Sequence, residues 1–89
     1  MASKICVIGA GRIGLPIATV LANSGSVVRL LEIDSEKVEM INNQECPFEE
    51  PGMKELMTRA ISDGLLNATK DPKVIGEGDH IICAIGTGV

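Results

Sequence analysis

The sequence predicts an α/β fold: a parallel sheet with helices on both faces, truncated after about four strands. Three observations predict it. Short apolar runs rich in β-branched residues alternate with segments of helical periodicity, a glycine-rich turn joins the first run to the first helix, and an acidic residue closes the second run. Strands alternating with helices imply a parallel sheet with right-handed crossovers, and the order expected of a doubly wound sheet of this kind is 3-2-1-4.

Lys4 to Ile8 is a short β-branched run bounded by Gly9, as expected of a strand buried on both faces. Gly14 to Asn23 carries Leu15, Ala18, Leu21 and Ala22 at helical spacing, with Gly25 as the stop. Val27 to Ile33 reads as the second strand. Ser35 to Asn43 reads as the second helix, with Val38 and Ile41 inward and Asp34 or Ser35 as N-cap. The clearest helix follows: Pro51 suits its first turn, and Met53, Leu56, Met57, Ala60 and Ile61 form a core-facing stripe closed by Gly64 in a left-handed cap. Leu66 to Thr69 makes a short strand, Asp71-Pro72 starts a single helical turn, and His80 to Ile85 reads as a buried strand.

Composition narrows the function. Eighty-nine residues hold one small domain, and 45% apolar with 22% charged residues describe a chain that folds. Phe48 is the only aromatic residue, which excludes an aromatic cage or a base-stacking platform. A net charge of −4 argues against nucleic acid and against anionic lipid surfaces as partners. The apolar stretch Ile5 to Ala22 is interrupted by Gly9, Gly11, Arg12, Gly14 and Pro16, so it is a strand running into a helix and no membrane span. Cys6, Cys46 and Cys83 are odd in number and lack CxxC spacing, which fits reduced thiols in a cytoplasmic protein. Cys46, in a loop, is the thiol expected to be most exposed, and Cys6 and Cys83 are expected as near neighbours on adjacent strands. His80 and Cys83, three apart on a strand, point to opposite faces, so no metal site is expected. The adjacent acids Glu49 and Glu50 suit a helix N-terminus better than acid/base chemistry.

The turn after the first strand is Gly9-Ala10-Gly11-Arg12-Ile13-Gly14, a G-x-G-x-x-G. Gly9 permits the tight turn, Gly11 lets the backbone approach a pyrophosphate, and Gly14 lets the helix pack close to the sheet. The helix N-terminus offers N–H groups and partial positive charge to the anion, so an acidic chain can still bind phosphate. Eighteen residues after Gly14, Glu32 stands where an acid accepts hydrogen bonds from the adenosine ribose. A carboxylate there repels a 2′-phosphate, which predicts NAD over NADP. Asp34 competes for this role, but its place at the start of the second helix suits capping. These features define a Rossmann-type unit.

Three segments carry a more specific likeness: the glycine loop followed by Leu15-Pro16, the run Glu32-Ile33-Asp34 with Glu36-Lys37-Val38, and Pro47-Phe48-Glu49-Glu50-Pro51-Gly52-Met53. Together they resemble the N-terminal NAD-binding domain of the UDP-glucose/GDP-mannose dehydrogenases, along almost the whole chain through Ala84-Ile85-Gly86-Thr87. The resemblance implies enzymes of polysaccharide biosynthesis that oxidise a nucleotide-sugar C6 alcohol to a uronic acid with two NAD. It assigns Gly9 to Gly14 to the pyrophosphate, Glu32 to the ribose with Lys37 beside it, and Ile85, Gly86 and Thr87 to the nicotinamide side. Arg12 stands where the family usually has Tyr, and either adds a charged contact to the pyrophosphate or is a solvated helix-start residue. Glu32 replaces the commoner Asp. Thr87 is followed by Gly88-Val89, where the family continues through Thr-Pro, so the expectation is a partial dinucleotide-binding domain over residues 1–89. Its substrate and catalytic domains are absent, and the chain alone is inactive. The nucleotide-sugar substrate is then a partner only of a full-length parent. The alternative is a stand-alone nucleotide-binding or interaction module, with self-association through the exposed sheet edge.

Overall fold

Apolar periodicity and cap chemistry set the order of elements in the computed structural model, which describes residues 3–85. They are β1 (Lys4–Ile8), α1 (Gly14–Asn23), β2 (Val27–Leu31), α2 (Ser35–Asn42), α3 (Met53–Ser62), β3 (Leu66–Thr69), a 3-10 helix (Pro72–Glu77) and β4 (His80–Cys83). The four strands form one parallel sheet in the order β3-β2-β1-β4, the order expected of a Rossmann-type unit.

Alternation along the central strands divides the core. Ile5, Val7, Val28, Leu30, Leu66 and Ala68 face α1, α2 and α3, where Leu15, Ala18, Ile41, Met57 and Ala60 are buried against them. On the other face Cys6 and Leu31 pack under Val74 of the 3-10 helix. The capping residues hold as expected: Asp34 accepts from the Glu36 N–H at 3.0 Å and Asp71 from the Lys73 N–H at 3.0 Å. Gly64 adopts the left-handed conformation that ends α3.

Several boundaries differ from the sequence reading. β2 ends at Leu31 rather than Ile33, because the chain turns through Glu32 and Ile33 to reach the Asp34 cap. Pro51 lies outside the first turn of α3: the backbone turns through Gly52, at φ 78°, before the first helical residue, Met53. Within the stripe, Met53, Met57 and Ala60 are buried while Leu56 is largely exposed. β4 is shorter than predicted and is an edge strand, with Ile81 52% exposed, so its apolar run is not buried on both faces.

The two sheet edges differ. At the β3 edge the Asn42 side chain donates to the Ala68 carbonyl and accepts from the Ala68 N–H, both at 2.8 Å, taking the place of a neighbouring strand. No such side chain covers β4 among the described residues.

Candidate functional site

β1 and β2 carry the chain to one end of the sheet, and both turns leaving it enclose a cleft. Gly9, at φ 101°, turns the backbone off β1 while its N–H donates to the Leu31 carbonyl at 2.8 Å. This bond holds the glycine loop beside the end of β2. The turn is tight: a Cβ on Gly9 would stand 2.9 Å from the Ala84 carbonyl oxygen, and one on Gly14 would stand 1.8 Å from the Gly9 oxygen. Gly14 therefore has the packing role that its place in the motif predicts. At Gly11 an added Cβ would meet nothing within 4 Å among the described residues, so the loop presents bare backbone there.

The N-terminus of α1 is left without a side-chain cap. Its N-cap is Ile13, which has no oxygen to accept from the first turn. An apolar N-cap forgoes about 1 kcal/mol of helix stabilisation. The first helical hydrogen bond runs from the Leu15 N–H to the Gly11 carbonyl at 3.1 Å, and the N–H groups ahead of it have no acceptor within the helix. They provide a cradle for an anion, strengthened by the helix dipole.

Glu32 faces this cradle from the turn that leaves β2. One carboxylate oxygen accepts from the Ala10 N–H and the other from the Asp34 N–H, each at 2.9 Å. The acid thus ties the glycine loop to the turn after β2. Each oxygen of a carboxylate has two acceptor sites, so a second pair remains for two vicinal hydroxyls. The bond to Ala10, made across 22 residues, is a contact that motif reading did not anticipate.

The cleft has a volume of about 280 Å³, near the lower end for small-molecule sites. Of the predicted site residues it is lined by Gly9, Ala10, Gly11, Glu32, Lys37 and Ile85. Ile8, Leu31, Ile33 and Ala84 complete the lining and supply an apolar wall that the sequence reading missed. Ile33 is 86% exposed, and only its place directly after Glu32 marks it in the sequence. Gly14 acts through packing behind the loop, and Ile13 is exposed at the helix start. Gly86 and Thr87 lie outside the described residues. Arg12 is exposed, with its guanidinium over the Phe48 ring, 5.4 Å from the centroid, a partner that neither sequence alternative included.

The glycine loop, bare at Gly11, and the bifunctional Glu32 fit a dinucleotide with its pyrophosphate at the helix terminus and a ribose at the acid. A separate hollow of about 440 Å³, lined by Lys4, Arg29, Glu77 and Gly78 among others, lies at the opposite end of the strands, away from the glycine loop and the N-terminus of α1.

The thiols take no part in this geometry. Cys6 is buried, and burial pushes its pKa above the ordinary 9.0, so it remains a neutral thiol at physiological pH. Cys83, not Cys46, is the exposed cysteine, because β4 is an edge. The register pairs Cys83 with Ile8 and Cys6 with Ile81, so Cys6 and Cys83 are offset along their strands and are not paired neighbours. No group of three or more metal-ligating side chains occurs among the described residues, and none of the helices described is long and apolar enough to cross a membrane.

Comparison with known proteins agrees with this geometry. Residues 3–89 match the family described as UDP-glucose/GDP-mannose dehydrogenase family, NAD binding domain. A UDP-N-acetyl-D-mannosamine dehydrogenase of Methanococcus maripaludis (strain S2) is 47% identical over 84 residues, covering 94% of this chain and 19% of that protein. UDP-glucose 6-dehydrogenase TuaD of Bacillus subtilis is 38% identical over 85 residues, covering 94% of this chain and 18% of the relative. Among solved structures, a ternary complex of GDP-mannose dehydrogenase from Pseudomonas aeruginosa superposes with a TM-score of 0.90 at 30% identity, over 93% of this chain and 19% of that one. The chain therefore spans about a fifth of the length of the relatives it matches.

Proposed function

Since the chain belongs to the UDP-glucose/GDP-mannose dehydrogenase family, as its NAD-binding domain, we propose that the cleft between the glycine loop and Glu32 holds the adenosine and pyrophosphate half of NAD. The observation that carries this reading is the Glu32 carboxylate, fixed by the N–H groups of Ala10 and Asp34 beside a glycine that leaves open space. The N–H groups of Gly11, Arg12, Ile13 and Gly14 bind the pyrophosphate. Glu32 accepts from the ribose hydroxyls, Lys37 closes the ribose side, and Ile33 and Leu31 pack against the adenine. Ile85, Gly86 and Thr87 approach the nicotinamide.

In a polypeptide of the relatives' length, the reaction is oxidation of a nucleotide-sugar C6 alcohol to the carboxylate, in the service of polysaccharide synthesis. NAD accepts hydride, and two equivalents are needed because alcohol to carboxylate removes four electrons. This chain's share is to bind and orient the acceptor. The nucleophile and the sugar-binding residues are assigned to the four-fifths of the relatives' length that the chain does not span. Three free thiols fit a reducing, cytoplasmic compartment.

Titration calorimetry with NAD, ADP-ribose and NADP tests the site. NADP is expected to bind at least about tenfold more weakly than NAD, since its 2′-phosphate meets the Glu32 carboxylate. Glu32→Ala should weaken NAD and remove the discrimination. Equal affinity of the parent chain for NAD and NADP would sink the ribose assignment. The open β4 edge is, on the same reading, the surface for self-association, through its exposed Ile81. Sedimentation should then show a concentration-dependent dimer that Ile81→Lys abolishes, and a strictly monomeric parent chain refutes it.

A further inference from the structure

Arg12 is the only ionisable residue within the glycine loop, and Phe48 is the only aromatic residue in the chain. The structure brings these two singular residues together, 36 positions apart in sequence, with the guanidinium carbon 5.4 Å from the ring centroid. That distance lies within cation–π range. The ring is a fixed platform: Phe48 is half-buried and packs against the main core beside Cys46. Its segment is held at both ends. The Gln44 side chain donates to the Ser62 hydroxyl at 3.3 Å, and the Met53 N–H donates to the Glu50 carbonyl at 3.1 Å.

The chemistry of the expected ligand gives this contact a use. A helix terminus offers about half a positive charge, whereas a dinucleotide pyrophosphate carries two negative ones. A full positive charge beside the loop completes the match, and it is most effective when its long side chain is already ordered. A guanidinium resting on an aromatic face is ordered without using an oxygen acceptor, so its planar N–H donors remain available.

We propose that Phe48 is a positioning residue that holds the Arg12 guanidinium ready to clamp the dinucleotide pyrophosphate. The inference rests on the NAD reading above and deepens it. It gives the Pro47–Pro51 segment a role in cofactor recognition although the segment does not line the adenosine cleft. It also accounts for Arg12 at a loop position where no backbone need requires a charge.

The test is calorimetric binding of NAD and of adenosine, which lacks phosphate, to the parent chain, Arg12→Gln, Phe48→Leu and the double variant, at low and at physiological salt. Phe48→Leu keeps apolar bulk in the half-buried site and removes the π face. Thermal unfolding of each variant checks that it is folded. The expected result is a loss of NAD affinity of about tenfold for R12Q, with weaker salt dependence. F48L should lose about twofold to fivefold. Adenosine binding should be unchanged in both, the double variant no weaker than R12Q alone, and F48Y equal to the parent. The proposal is overturned if F48L weakens adenosine as much as NAD, if the two losses multiply in the double variant, or if R12Q binds NAD like the parent. A parent chain that binds neither ligand overturns the NAD reading and this proposal together. Discrimination lost in E32A with R12Q unaffected overturns the clamp alone.

Discussion

Gly11→Ala separates the binding role of the glycine loop from its packing role. An alanine Cβ at Gly11 meets no heavy atom of the described residues within 4 Å, and the residue's φ lies outside the left-handed region. Folding should therefore be unharmed, and the stiffer unfolded chain adds about 0.4–1 kcal/mol of stability. The same methyl occupies the open space into which the loop presents its N–H groups. It pushes the pyrophosphate away from one charge-assisted hydrogen bond, worth about 1.5–3 kcal/mol, or roughly a tenfold to hundredfold loss in affinity. Gly14→Ala is the matched control. There the Cβ lands 1.8 Å from the Gly9 oxygen and 3.3 Å from the Ala84 Cβ, so backbone must yield to backbone. Overpacking of that kind costs about 3 kcal/mol, against roughly 4–13 kcal/mol of total stability for a domain of this size. Urea unfolding followed by α-helical circular dichroism gives the stabilities, and calorimetry gives NAD affinity. G11A should leave the midpoint unchanged or raised and lose NAD, whereas G14A should lower the midpoint and lose NAD as well. If G11A binds NAD like the parent chain, or unfolds as early as G14A, the division of labour between the two glycines is wrong.

Two further substitutions probe the scaffold. The Thr19 hydroxyl is fully buried with no hydrogen-bond partner among the described residues, so the near-isosteric Thr19→Val should stabilise the chain by about 1 kcal/mol, raising Tm by roughly 4–8 °C; an unchanged or lowered Tm would show that the hydroxyl has a partner in solution. Asn42→Ala removes both bonds to the Ala68 backbone and should cost about 1–3 kcal/mol, with faster amide exchange at Ala68 than at Leu30 of the central strand; uniform exchange in β3 and β2 would show that Asn42 does not secure the edge.

The site was legible where chemistry is local in sequence. Gly9 and Gly14 stand where the turn admits no side chain and Gly11 where the backbone is left bare, and the interval to Glu32 is the length of one helix and one strand, so both could be read without knowing any long-range contact. Alternation and handedness made the sheet parallel, and the Rossmann-type reading of the glycine loop supplied the strand order. What could not be read depended on partners distant in sequence. The run His80 to Cys83 has the apolar character of a central strand, but exposure depends on whether a neighbour pairs with its free side, and no residue within the run records that. The Asn42–Ala68 and Glu32–Ala10 bonds join positions 26 and 22 residues apart through side chains that in isolation look like a helix-end asparagine and a ligand-binding acid. The Arg12–Phe48 contact was not legible for the same reason, since Phe48 belongs to a loop after α2. Pro51 fitted a first helical turn by type, and Gly52, adjacent to it, decided the actual start.

The unequal edges of the sheet bear on how a binding site of this kind can be extended. Ala84 and Ile85 leave β4 directly into the wall of the cleft. A fifth strand laid against β4 would deliver its own following turn to the same end of the sheet, where it would roof the side of the cleft away from Glu32. With Asn42 closing the far side at β3, growth of the sheet is directed toward the ligand, so enlarging the scaffold and enclosing what it holds become a single structural step. Grafting and recombination experiments on this unit should therefore join new elements at β4, where one junction serves both ends.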